Sequence, residues 1–66
     1  MNDYTFKVML RNEYIGHVGN IRRDNEQEAL KEAMSYVEDS WQGYRVHPTE
    51  LKSLTFKLSS INGRII

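Results

Sequence analysis

Two periods in the spacing of apolar residues divide this chain into one helix and several strands. Over residues 24–41 the apolar side chains recur at helical spacing and fall on one arc of about 160° at 100° per residue. They are Ala29, Leu30, Ala33, Met34, Tyr36 and Val37, with Trp41 in phase at the end. Asp24 with Gln27, or Asn25 with Glu28, provides a capping start. These residues predict an amphipathic helix around which the rest of the chain is organised.

Before the helix, alternation predicts a hairpin of two strands. Residues 4–11 place every second side chain on one face, and that face is aromatic or aliphatic: Tyr4, Phe6, Val8 and Leu10. Asn12-Glu13 interrupts the alternation and predicts the turn, and residues 14–21 form the second strand. Gly16 and Gly19 within that strand indicate a bulge or a close approach by another backbone.

After the helix, the pattern predicts a connector and a third strand. Residues 42–49 form the connector, in which Tyr44 and Val46 fit a short strand. A bend or single turn over residues 48–52 then leads into a third strand over about residues 53–61.

Asn62-Gly63 is the strongest short hairpin signal in the chain. A two-residue turn at this point places Ile65 opposite Ser60, on the same face as Phe56 and Leu58. The last three residues then form a short fourth strand.

The element order is β-β-α-β with a short β at the end, which predicts an α+β fold of one domain spanning residues 1–66. One helix on a small antiparallel sheet gives a two-layer sandwich, and no segment remains to cover the other sheet face. The expected core comprises Phe6, Val8, Leu10, Ala29, Leu30, Ala33, Met34, Val37, Leu54, Phe56 and Leu58. The expected open face carries Thr5, Lys7, Met9, Arg11, Thr55 and Lys57.

Composition narrows the classes of function. A chain of 66 residues lies near the lower limit for a self-sufficient core, which leaves little room for a deep active site. The net charge of zero argues against strong nonspecific attraction to nucleic acid or anionic membrane. The absence of cysteine excludes disulfides, thiol catalysis and cysteine-based zinc sites. No apolar run approaches the ~20 residues that span a bilayer and no signal-peptide core is present, so we expect a soluble cytoplasmic protein.

The zero net charge conceals an uneven distribution. Residues 24–39 hold six acids and one base, whereas the remainder holds eight bases and three acids. We therefore expect an acidic helix on a basic sheet, which gives two candidate surfaces for a partner. The acidic candidates are Glu28, Glu32 and Asp39. The basic candidates are Lys7, Arg11, Lys57, Arg22 and Arg23.

Each surface also has another interpretation. Acids on a helix face are commonly only solvated. The basic residues could track the phosphates of a single nucleic-acid strand, with Tyr14 and Tyr44 available for base stacking. Trp41 and Tyr44 suit aromatic anchors of an interface, but a small core also needs large side chains to close its end. An edge strand or the open face also allows a homodimer.

No residue pattern indicates catalysis, a metal or a cofactor. His17 and His47 are the only histidines, and no carboxylate spacing around them forms a metal motif. Gly16-His17-Val18-Gly19 lacks the third glycine of a phosphate loop and does not open a helix. Glu28 and Glu32 are one turn apart, but on the arc where solvated charge is expected. We therefore predict a non-enzymatic protein.

Two stretches resemble segments of small accessory proteins encoded by bacteriophages and related mobile elements. They are Asp24-Asn25-Glu26-Gln27-Glu28-Ala29-Leu30 and Val46-His47-Pro48-Thr49-Glu50-Leu51-Lys52-Ser53-Leu54. Many such proteins bind and block a host factor, so the resemblance implies an inhibitor or regulator without assigning any residue a role. The expected function is binding of a protein partner through charged surfaces. The alternative is a nucleic-acid-binding protein that uses the basic sheet face.

Overall fold

The computed structural model describes residues 1–66 as a four-stranded antiparallel sheet with one α-helix packed on one face. The strands are β1 (Asn2–Leu10), β2 (Glu13–Arg23), β3 (Leu54–Ile61) and β4 (Arg64–Ile65), in the sheet order β2-β1-β3-β4. The helix α1 (Glu26–Asp39) is joined to β3 by two 3-10 helices, Trp41–Tyr44 and Pro48–Ser53. The predicted α+β fold is confirmed. With 14 residues, α1 is too short to cross a bilayer.

α1 begins at an asparagine cap and packs on the sheet through small side chains. The backbone N–H of Glu28 donates to Asn25 Oδ1 at 2.9 Å, which satisfies one of the unpaired donors of the first turn. Of the two predicted capping starts, the structure therefore uses Asn25 with Glu28. The buried residues of the helix are Ala29, Ala33 and Val37, which form the centre of the predicted apolar arc.

The predicted burial of Met34 in the core is wrong, because Met34 lies at one end of the apolar arc, with Tyr36 at the other. Met34 is 50% exposed and Tyr36 is 54% exposed. The sheet contacts only the middle of the arc, where Ala33 is fully buried. Tyr36 and Met34 consequently flank the helix on its two sides.

The core lies mainly between α1 and the first two strands. β1 supplies the buried residues of its predicted inner face, Tyr4, Phe6 and Val8. β2 adds Val18 and Ile21, and the connector adds Val46, none of which the sequence pattern assigns to the core. Because α1 packs on β2 and β1, the inward side chains of β3 are only half-buried: Leu54, Phe56, Leu58 and Ile61.

The turn between β1 and β2 lies one residue earlier than predicted. Arg11 and Asn12 occupy the two turn positions with φ of 51° and 66°, a left-handed pair whose twist matches that of a tight hairpin. Arg11 therefore leaves the strand, and its predicted place on the open face is wrong. Its Nη1 donates instead to Glu50 Oε2 at 3.2 Å.

The two glycines of β2 serve different purposes. The β1–β2 register shifts beside Thr5, because this one residue of β1 lies opposite two residues of β2, Gly19 and Asn20. Asn20 adopts φ of 59°. The predicted bulge is therefore confirmed. Gly16 instead allows a close approach, because a Cβ there would lie 2.7 Å from a ring carbon of Tyr44. The group that approaches Gly16 is therefore a side chain, whereas the sequence predicted the approach of another backbone segment.

The C-terminal hairpin has the predicted turn, but Ile65 lies on the other face of the sheet from the one predicted. Asn62-Gly63 has φ of 52° and 81°, and Ser60 pairs with Ile65 as expected. An extra residue at Ser59 shifts the β1–β3 register, so that Ser60 lies opposite Thr5. Ile65 therefore belongs to the open face, and its predicted place with the inner residues of β3 is wrong.

The connector is helical where a short strand was expected. Tyr44 ends the 3-10 helix Trp41–Tyr44, and Val46 is buried beyond it, so the predicted strand at these two residues is wrong. Where the sequence predicted a bend or a single turn over residues 48–52, the chain forms the six-residue 3-10 helix Pro48–Ser53.

Candidate interaction surfaces

Three side chains form a row across the open face of the sheet, and we name them the basic row. Lys7 of β1 lies opposite His17 of β2 on one side and opposite Lys57 of β3 on the other. Directly opposed residues on one sheet face have Cβ atoms about 5 Å apart. All three residues are exposed, and α1 lies on the other face.

The two lysines of the basic row are not neutralised within the sheet. Neither forms an ion pair, and like charges directly opposite each other destabilise a sheet. The neighbouring positions on this face are uncharged: Thr5 lies opposite Ser60, and Met9 lies between Tyr14 and Thr55. The basic row therefore favours an anionic surface in a partner.

An aromatic residue borders the basic row. Tyr14 is exposed, and its hydroxyl lies 3.3 Å from Nδ1 of His17. Met9 lies opposite Tyr14, so apolar surface adjoins the charges. His17 is absent from the basic residues that the sequence pattern selects, and only the true register of the hairpin reveals that it faces Lys7.

The predicted arginines lie apart from the basic row. Arg22 is on the open face, as expected, but it lies opposite Asp3, which offsets its charge. The neighbouring Arg23 forms an ion pair with Glu32 of α1. Arg23 is therefore on the helix side, and its predicted place on the open face is wrong.

The acidic surface of the helix is smaller than predicted. Glu28 and Asp39 are exposed on α1. Glu32 is only partly exposed and already has a cationic partner in Arg23. Of the three predicted acids, two therefore remain unpaired on the surface.

A shallow cleft of about 430 Å³ lies between α1 and the outer edge of β2. Its lining combines residues of the bulged strand with three side chains from beyond it: Glu32, Tyr36 and Tyr44. Because its one carboxylate is paired with Arg23, the cleft has no free charged group from these side chains.

Tyr44 closes one end of the core. Its hydroxyl donates to the backbone carbonyl of His17 at 2.8 Å, and its ring lies on Gly16. Burial raises the pKa of the Tyr44 hydroxyl, and the nearby Tyr36 and Tyr14 hydroxyls raise it further. This packing fits the core-closing interpretation of Tyr44, and Trp41 is also partly buried.

His47 has a structural position at the start of the second 3-10 helix. The N–H of Thr49 donates to His47 Nδ1 at 3.2 Å, and the N–H of His47 donates to Glu50 Oε1 at 2.9 Å. The hydrogen bond from the His47 backbone holds the pKa of Glu50 below its ordinary value; burial opposes this effect and Arg11 adds to it. The capping box thus fixes both the helix start and the Glu50 carboxylate.

Each histidine ring contacts a nearby hydroxyl group, and the His47 ring also accepts the Thr49 N–H. The His17 ring contacts Tyr14, and the His47 ring contacts Thr49 at 2.9 Å. Comparison of the chain with protein-family models, with curated protein sequences and with solved structures found no match.

Proposed function

We propose that this chain is a non-enzymatic protein-interaction module that binds an acidic surface of a partner protein through its open sheet face. The observation that carries this proposal is the uncompensated pair of Lys7 and Lys57, directly opposed on an uncovered face and extended by His17. An arrangement that weakens the isolated fold is explained if a partner supplies the missing negative charge.

Of the two charged surfaces, the sheet face is better suited to this role than the helix. The helix loses Glu32 to an internal ion pair, whereas both lysines of the basic row remain free. Met9 and Tyr14 add apolar contact area beside the charges, which isolated surface charges lack.

The finer part of the proposal is stoichiometric binding in the cytoplasm, as a blocker or a small regulator of a host factor. It is supported by the cysteine-free sequence and by the resemblance to accessory proteins of mobile elements. A blocker of this kind needs no binding pocket of its own. It is sufficient that the chain covers the acidic surface of the partner.

The test is an affinity pull-down from the source cell, with and without nuclease, using the wild type and four variants, of which Glu28→Lys alters the acidic helix. Lys7→Glu and Lys57→Glu reverse one charge in the basic row. Lys31→Glu makes the same substitution on α1 and is the matched control, because Lys31 is exposed on the opposite side of the molecule.

We expect one protein to be recovered at near-equal amount, to survive nuclease, and to be lost with either row variant but not with Lys31→Glu. Capture that is unaffected by the row variants and abolished by Glu28→Lys would contradict the proposed surface and assign binding to the helix. Captured material that disappears with nuclease would contradict a protein partner.

A second candidate, binding of single-stranded nucleic acid, is favoured by one observation. Tyr14 is exposed beside His17, which places an aromatic ring next to basic side chains, as in proteins that stack bases and track phosphates. Titration of a fluorescent oligonucleotide would show affinity that falls steeply with added salt and that is reduced by Tyr14→Ala. Salt-dependent binding without any effect of Tyr14→Ala would leave only nonspecific attraction.

A further inference from the structure

The outer edge of β3 is largely unpaired. β4 pairs only with Ser60 and Ile61, so the segment Leu54–Leu58 has β1 on one side and no strand on the other. We infer that this segment pairs with the same segment of a second copy, joining two four-stranded sheets edge to edge. This inference is independent of the proposed function.

The direction of the backbone groups in β3 follows from contacts elsewhere in the sheet. The His17 carbonyl accepts from Tyr44 and therefore points away from β1, so the Lys7 groups point towards β3. Asp3 agrees with this alternation, because its N–H and carbonyl both bond to Asn62. Lys57, opposite Lys7, therefore uses its backbone groups within the sheet.

The residues that alternate with Lys57 present their N–H and carbonyl groups to the free edge. They are Leu54, Phe56 and Leu58. A strand added at this edge can pair with these three residues without disturbing β1.

The segment is complementary to itself in one antiparallel register. When Phe56 faces Phe56 of the second copy, Leu54 faces Leu58, and these are the residues with outward backbone groups. Each of these pairs exchanges two hydrogen bonds. In the same register Lys57 faces Thr55 of the second copy and not another lysine, so the pairing brings no like charges into direct opposition.

The side chains of this edge also gain from pairing. Leu54, Phe56 and Leu58 are only half-buried on the inner face, since α1 lies over β2 and β1. Met34, on the flank of α1 away from the Tyr36 cleft, is half-exposed as well. Contact between the two sets of β3 side chains removes apolar surface from water.

The other edge of the sheet is unsuited to such pairing. On β2 the outward carbonyl of His17 is already taken by Tyr44. The bulge at Gly19 and Asn20, with Asn20 in a left-handed conformation, interrupts the extended backbone. The outer side of β4 is also unpaired but is only two residues long. Since the β3 segment is the one long free edge, association ends at two copies and does not continue into a filament.

Two substitutions at one position test the register. Thr55 is exposed and faces Met9 within its own sheet, so changes there leave the monomer core intact. In the dimer Thr55→Lys would oppose Lys57 twice, by symmetry, and Thr55→Glu would form two opposite-charge pairs. Sedimentation velocity over a range of protein concentrations should show a wild-type dimer, weakened roughly three- to tenfold by Thr55→Lys and strengthened by Thr55→Glu. A wild type that is monomeric at every concentration, or two variants that shift in the same direction, would overturn the inference.

A covalent test uses the absence of cysteine from the chain. In the inferred register residues 55 and 57 of the two copies have Cα atoms about 4.5 Å apart, within disulfide range. Thr55→Cys combined with Lys57→Cys should give an oxidised dimer whose 55–57 linkage is identified by peptide mass spectrometry. Thr55→Cys alone is the matched control and should cross-link much more slowly. Equal rates for the single and double variants, or a predominance of 55–55 linkages, would refute the register.

Discussion

Gly16 and Tyr44 form a contact in which the absence of a side chain determines the packing. A Cβ on residue 16 would lie 2.7 Å from the Tyr44 ring, and that ring is held by the 2.8 Å hydrogen bond to His17. The ring therefore has to move and break its hydrogen bond if a methyl group is added. We expect Gly16→Ala to lower the free energy of unfolding by about 1–3 kcal/mol.

Thermal unfolding followed by circular dichroism measures this effect. A loss of 1 kcal/mol should lower Tm by roughly 4–8 °C in a domain of this size. The control is Gly43→Ala, because no atom lies within 4 Å of a Cβ built at residue 43. Equal Tm values for Gly16→Ala and the wild type would show that the Tyr44 ring is not fixed as described.

At the scale of elements, the start of the second 3-10 helix has a pH-dependent cap. The pKa of Glu50 lies below its ordinary value of 4.5, chiefly because its carboxylate accepts the His47 N–H. A lowered pKa in the folded state means that the ionised carboxylate stabilises the fold above pH 4.5 and that this contribution is lost as the pH falls through the lower folded value. We expect Glu50→Gln to lower Tm at pH 6–7 and the difference from wild type to shrink towards pH 3.

Measuring Tm as a function of pH for Arg11→Gln distinguishes the effect of the His47 hydrogen bond on Glu50 from the effect of Arg11. Because the His47 bond is the larger cause, Arg11→Gln should retain most of the pH dependence seen in the wild type. A pH dependence that vanishes with Arg11→Gln would instead assign the effect to the ion pair.

The elements themselves could largely be predicted from the sequence, whereas their register could not. The helix and the turn at Asn62-Gly63 follow from periodicity and from residues suited to left-handed φ. The turn at Arg11 and Asn12 was not predicted, because arginine does not favour the positive φ of 51° that it adopts here. Placing that turn one residue late puts Val18 opposite Lys7. The actual turn brings His17 there only because a second register shift, between Val8 and Met9, leaves Ile15 without a partner. The sequence therefore predicted the two lysines of the basic row but not His17.

Burial on α1 was predicted correctly at the centre of the apolar arc and wrongly for Met34 at the edge of the arc. The apolar arc from Tyr36 to Met34 marks which face turns inward, but not how much of it the sheet covers. That extent depends on which strands α1 crosses, and it packs on β2 and β1.

At the scale of the whole molecule, the basic row lowers the stability of the fold and is needed for binding of the proposed partner. Lys7→Glu replaces a pair of opposed like charges with an opposite-charge pair to Lys57. We expect this variant to unfold at higher urea concentration, with a gain of about 0.2–1 kcal/mol, while it loses the partner. Lys31→Glu on the acidic helix should bring no such gain. A Lys7→Glu variant that is less stable than the wild type would show that the two lysines do not strain the fold.

The position of β1 in the middle of the sheet has a consequence for synthesis. One neighbour of β1 follows immediately as β2, but the other is β3, so Tyr4 pairs with Ile61. A nascent chain that has emerged only as far as Pro48–Ser53 can form the hairpin and α1, yet one flank of its first strand still has no partner. Such an intermediate offers an unpaired edge to other growing chains, and aggregation at this stage competes with completion of the sheet.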